Sequence, residues 1–226
     1  GEKFPHLILL AKDAEGHRQL RELSSRAWSH SFMMFLTRVP TYYKDIEEVI
    51  GSNPGHVVAS SACIGGWLGI CFLNQKWDEA INFITWAKAI FHDDFYLEIQ
   101  PARYNEQIEY NKWLLEMGKR TDTKCIITTD AHYLKKEDRE IHAALLNSKD
   151  GERETADFYQ YTYIMSPDEI KELTSDYLSE ETIISLFENT NEINSKITIY
   201  DLFQPQIVPH LSDDRLKHPE WIETFK

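Results

Sequence analysis

Cys125-Ile-Ile-Thr-Thr-Asp-Ala-His-Tyr133 is the stretch whose reading decides the fold. Residues 125–129 are few, apolar and β-branched, the pattern of a strand buried on both faces. The run ends in Asp130-Ala131-His132. Residues two apart in an extended chain point the same way, so a carboxylate and an imidazole are expected to leave the strand end side by side. Oxygen and nitrogen donors converging from one side suit a divalent cation. The carboxyl end of a central strand is also where α/β folds place their chemistry. The plainer reading is an Asp that caps the next helix beside a surface His, and short patterns of this kind recur by chance.

Working outward from that strand, the same kind of run appears upstream. Residues 6–12 read as a buried strand, followed by Asp13 as helix N-cap and by Leu20, Leu23 and Ala27 at helical spacing. Residues 29–40 read as irregular, with Phe32, Met33, Met34 and Phe35 as core filling. A short helix with Ile46, Val49 and Ile50 inward stops at Gly51, and Asn53-Pro54-Gly55 is a turn. Residues 56–60 and 95–100 are two further strands. Between them lie a helix to about Asn74 and a longer one carrying Trp77, Ala80, Ile81, Ile84, Ala87 and Phe91. Tyr110, Trp113, Leu114 and Met117 mark a helix ending near Gly118.

Downstream, residues 137–147 read as a helix with Ile141, Ala144 and Leu145 inward and His142 on its flank. Residues 151–156 are polar and loop-like. Ser166-Pro167-Asp168-Glu169 has the form of a capping box. Ile183, Leu186, Phe187, Thr190 and Ile197 belong to a last long helix, and residues 202–226, with three prolines, read as a linker. Strands alternating with helices imply a parallel sheet with helices outside, open or rolled into a barrel. Only four strands are clear, whereas closed parallel barrels typically have about eight. The pattern thus predicts either a small open sheet or a barrel short of strands at its front.

Composition limits the function classes. The chain has 226 residues and a formal net charge of −13, which argues against a main surface that grips phosphate backbone. Three cysteines make no disulfide framework and point to reduced thiols, hence to a soluble cytoplasmic setting. The N-terminus lacks the layout of a signal peptide, and the longest apolar-leaning run, residues 62–73, is too short to span a bilayer, so no membrane is expected as a partner.

His6, Cys63, Asp130 and His132 stand at the starts or ends of strands with side chains that bind metal, and Zn²⁺ accepts thiolate, imidazole and carboxylate together. Taken singly, each has a plainer explanation: His6 as a strand-edge histidine, Cys63 as a small buried hydrophobe. Glu98 faces a barrel interior or is a salt-bridged sheet carboxylate. Asp93 and Asp94 form a turn before a strand. Gly65-Gly66 is no P-loop, because no Gly-Lys-Ser/Thr follows.

In order, His6-Leu-Ile-Leu-Leu-Ala-Lys12, His56-Val-Val-Ala-Ser-Ser-Ala-Cys-Ile-Gly-Gly66, Asp93-Asp-Phe-Tyr-Leu-Glu-Ile-Gln100 and Thr128-Thr-Asp-Ala-His-Tyr-Leu134 carry a resemblance. Together with residues 158–169 and Leu186-Phe-Glu-Asn-Thr-Asn-Glu-Ile193, the chain resembles the PHP (polymerase and histidinol phosphatase) domain at the front of bacterial DNA polymerase III alpha subunits. The resemblance spans roughly residues 6–210. It implies an α/β fold: a partial, distorted (β/α)7 PHP-type barrel lacking its first strands, with a helical C-terminal extension. By the same token residues 1–150 are the barrel portion, 151–201 the PHP-associated loop and helices, and 202–226 a linker toward a polymerase region.

The resemblance further implies that the inner rim binds up to three metal ions. His6 matches the histidine of a middle strand, Cys63 a cysteine ligand, and Asp130 and His132 the closing Asp-x-His pair. In metal-binding members this site hydrolyses phosphoesters, including 3′-5′ exonuclease proofreading. In others it has decayed, and the domain is structural or docks a separate proofreading exonuclease. The family's opening His-x-His and the next His and acidic ligands precede residue 6. The expectation is therefore a supporting module with an incomplete site for Zn²⁺ or Mn²⁺, inactive on its own. Its parent would be a DNA-directed DNA polymerase using Mg²⁺, with the other polymerase domains, a proofreading exonuclease and DNA as partners. The rival is a standalone metal-dependent phosphoesterase.

Overall fold

The computed structural model describes residues 4–34, 36–150 and 157–203. Strand β1 (Ile8–Ala11) leads into helix α1 (Ala14–Ser29), whose N-cap Asp13 accepts a hydrogen bond from the Gly16 amide at 2.9 Å. A surface hairpin follows, β2 (Phe32–Met34) against β3 (Leu36–Arg38). The core role expected of Phe32 and Met33 does not hold: Met33 is 75% and Phe32 42% exposed, because among the described residues the hairpin pairs only with itself. Phe35 lies outside the described residues. Helix α2 (Tyr43–Ile46) continues as a π-helical segment, Glu47–Gly51, and buries Ile46, Val49 and Ile50.

Next come β4 (Val57–Ser60), α3 (Trp67–Leu73), α4 (Trp77–Phe91), β5 (Phe95–Ile99), α5 (Asn105–Thr121) and β6 (Cys125–Ile127). Helix α5 runs past Gly118 to a left-handed Asp122, φ 50°. The main sheet has the order β1-β4-β5-β6, with β4, β5 and β6 parallel, as helical crossovers require. Strand β1 departs from the expectation in two ways. It pairs antiparallel with β4, Ile8 opposite Ser60 and Ala11 opposite Val57, and it is half-exposed rather than buried.

The reason lies in the connection. Helix α1 carries the chain away from the end of β1, and α2 with its π-helical extension brings it back to the same end. There Gln19 Nε2 donates to the Asn53 carbonyl at 2.7 Å, and Asn53 Nδ2 donates to Glu15 at 3.1 Å. The Lys12 amide also donates to the His56 carbonyl, so β4 starts where β1 stops.

The sheet is covered on both faces. On one, Val57, Ala59, Phe95, Leu97, Ile99, Cys125 and Ile127 pack with α3, α4 and α5 in the main core. On the other, Val58, Tyr96 and Ile126 meet Ile193 of α8 (Glu180–Lys196). This last helix also closes the free edge of β6. Asn189 Nδ2 donates to the Cys125 carbonyl, and Thr190 Oγ1 accepts from the Ile127 amide and donates to its carbonyl. Side chains thus satisfy the groups that a neighbouring strand would take.

Between β6 and α8 lie α6 (Arg139–Asp150) and α7 (Pro167–Thr174), the latter with the expected capping box from Ser166 and Glu169. The inward face expected of α6 is reversed. Ile141 is 70% and Leu145 56% exposed, and Ala144 is exposed too, whereas His142 turns toward Tyr133 and Tyr159. Aromatic partners on the preceding and following loops draw the imidazole in. The loop expected at 151–156 and all but the first two residues of the linker expected at 202–226 lie outside the described residues.

Candidate functional site

Strand β4 delivers Cys63 through an abrupt turn: Ala62 adopts φ 59°, a left-handed conformation unusual for a residue with a Cβ. Gly65 and Gly66 follow. A Cβ on Gly66 would lie 2.4 Å from the Ser61 carbonyl oxygen, so only glycine fits. This compact loop reaches His6, whose amide donates to the Gly65 carbonyl at 3.2 Å. The result brings Cys63 Sγ to 3.5 Å from His6 Nδ1.

Asp130 enters the same place from β6. At φ 44° it too is left-handed, and it lines with His6 and Cys63 a cleft of about 630 Å³ whose walls include Trp67, Tyr42 and Phe83. Its Oδ2 is buried with no hydrogen-bond partner among the described residues. Burial, then the charges of Asp130 and Glu98, push the Cys63 thiol up from its ordinary range, so the protonated thiol is the resting form at neutral pH.

His132 goes elsewhere. The turn at Asp130 breaks the extended alternation that would have kept the two side chains together. His132 Nδ1 instead donates to the Asp130 carbonyl at 2.6 Å, and the ring meets Tyr159 and His142 at centroid distances of 5.5 and 5.9 Å. Of the four residues singled out by sequence, His6, Cys63 and Asp130 share the cleft, and His132 stands outside its lining.

Of the two roles expected of Glu98, barrel-interior carboxylate or salt-bridged sheet carboxylate, the structure does not show the salt-bridged one. Glu98 is 2% exposed, and no Lys, Arg or His pairs with it among the described residues. Ser60, Thr128 and Gln100 donate to it instead. A lone carboxylate inside the apolar run Phe95-Tyr-Leu-Glu-Ile99 was the available signal. Asp94, expected in a turn, is buried between Lys12 at 2.6 Å and Lys196 at 2.9 Å.

Among the described residues no three His, Cys, Asp or Glu side chains converge closely enough to hold an ion, and structural Zn²⁺ takes four ligands. The close pair, His6 and Cys63, offers two.

The PHP domain family matches over residues 2–102, which hold β1, β4, β5, His6 and Cys63. Residues 2–102 belong to the PHP domain family. Alignments with DNA polymerases extend beyond this PHP match. The chain is 42% identical, over 96% of its length, to a probable DNA polymerase, YorL, of Bacillus subtilis, and equally to a DNA-directed DNA polymerase of Bacillus phage SPbeta. It is 37% identical over 62% of its length to the DNA polymerase III subunit alpha of Aquifex aeolicus. The chain spans 18% of the first two relatives and 12% of the third. Among the described residues no helix is long and apolar enough to cross a membrane.

Proposed function

We propose that this chain is the PHP region of a DNA polymerase III alpha-like, DNA-directed DNA polymerase and serves there as a supporting module. The 42% identity to a probable DNA polymerase along 96% of the chain carries this reading. The sheet is read as part of a (β/α)7 barrel, with residues 1–150 as the barrel portion and 151–201 as its associated loop and helices. The net charge of −13 suits a module lying away from the DNA path.

In this reading His6, Cys63 and Asp130, with His132 beyond them, are what these residues contribute to a metal site for Zn²⁺ or Mn²⁺. The donor set is too small to retain an ion, and the parent polymerase uses its own Mg²⁺. The test is elemental analysis after dialysis against Zn²⁺ or Mn²⁺, where substoichiometric metal is expected. One tightly held ion per chain would refute the incomplete site. Asp130→Ala is expected to alter folding stability more than any hydrolysis; a Mn²⁺-dependent 3′-5′ exonuclease abolished by that change would establish the rival phosphoesterase. Retention of a proofreading exonuclease subunit in a pull-down would support a docking role.

A further inference from the structure

Three neighbouring strands bring hydroxyl and carboxylate groups together on the face opposite the main core. Ser60 ends β4, Glu98 lies in β5, and Thr128 follows β6. Thr128 Oγ1 donates to Glu98 Oε1 at 2.6 Å, where Gln100 Nε2 also donates at 3.3 Å, and Ser60 Oγ donates to Oε2. The Glu98 amide donates to Ser61 Oγ at 2.9 Å. Ser60 Oγ in turn accepts from the Ala62 amide at 3.4 Å, next to Cys63. Thr128 stands two residues before Asp130.

A buried carboxylate without a cation is costly, and an apolar side chain of the same size would avoid that cost. What the carboxylate offers is direction. Ionised, it only accepts, so both hydroxyls must point their protons at it, which leaves the Ser60 lone pairs facing the Ala62 amide. Each partner sits two residues before a left-handed residue, Ser60 before Ala62 and Thr128 before Asp130, and these two residues aim the cleft side chains.

We propose that Glu98 is a positioning residue: it clamps the end of β4 to the end of β6 and so holds Cys63 and Asp130 toward one another. This rests on neither the polymerase reading nor metal uptake, and its test involves neither.

The readout is alkylation of Cys63 by iodoacetamide in the folded chain. Cys71 and Cys125 are buried, so their labelling reports general opening. Thr128→Val removes one arm of the clamp and leaves the charge of Glu98 in place, which separates the clamp from the field of the carboxylate. We expect Thr128→Val and Ser60→Ala each to speed Cys63 labelling by about tenfold, the double variant by no more than the faster single one, since both arms act through one residue. Glu98→Met, near in volume, is expected to match the double variant, and adding Thr128→Val to it to change nothing. Wild-type labelling in Thr128→Val, or arms whose effects multiply, would overturn the clamp. So would acceleration shared equally by all three cysteines in both single-arm variants.

Discussion

Cys63 Sγ lies 3.5 Å from His6 Nδ1, although 57 residues separate them in the chain. Backbone geometry makes the contact: His6 bonds to the Gly65 carbonyl and bridges in parallel to Gly66. Gly66→Ala would drive a Cβ to 2.4 Å from the Ser61 oxygen and 3.1 Å from the oxygens of Cys63 and His6. A loss of about 1–3 kcal/mol in urea unfolding is expected, as for other overpacked sites. Cys63 labelling should rise in the same variant, because the loop that holds the thiol must shift.

The edge of β6 gives a second test. Thr190→Val keeps the shape of the side chain but removes the oxygen that serves the Ile127 amide and carbonyl. An orphaned amide there should cost about 1–3 kcal/mol, measured by urea denaturation. A change within the error of the midpoint would mean that the edge does not need the helix.

Glu192 supplies a pH dependence. Hydrogen bonds from Lys124 and then Lys196 hold its carboxyl down from 4.5 to about 2. A carboxyl depressed in the folded state adds stability above its unfolded value, and that share is lost as pH falls through the folded one. The wild-type advantage over Glu192→Gln should be about 1–2 kcal/mol at pH 7 once solvent screening is allowed for. It should narrow as pH falls from 4.5 to about 2. A gap that stays constant across that window would contradict the assignment.

Two isoleucines separate pattern from packing. Ile127 is 3% exposed, and Ile127→Ala should cost about 2–5 kcal/mol. Ile141, which sequence periodicity turned inward, is 70% exposed, so Ile141→Ser should stay within about 0.5 kcal/mol. Thermal or urea unfolding of both variants checks the contrast.

Much of this arrangement was legible in the residues. The buried runs at β4, β5 and β6, the amphipathic α4 and α5, the Asp13 cap and the Ser166 box all follow from local rules and recur in the structure. What escaped was set by distant partners. The direction of β1 depends on where α2 returns the chain, and no periodicity within β1 records that. The orientation of α6 follows from contacts of His142 with Tyr133 and Tyr159, which outweigh the apolar spacing of Ile141 and Leu145. The separation of Asp130 from His132 follows from one left-handed dihedral, which an Asp tolerates without advertising it.

The helical side chains along β6 carry a topological consequence. Because Asn189 and Thr190 already occupy that margin, another strand can enlarge this sheet only beside β1, whose outer rim is still open to pairing among the described residues. Growth of the sheet is therefore one-sided, along the rim of β1.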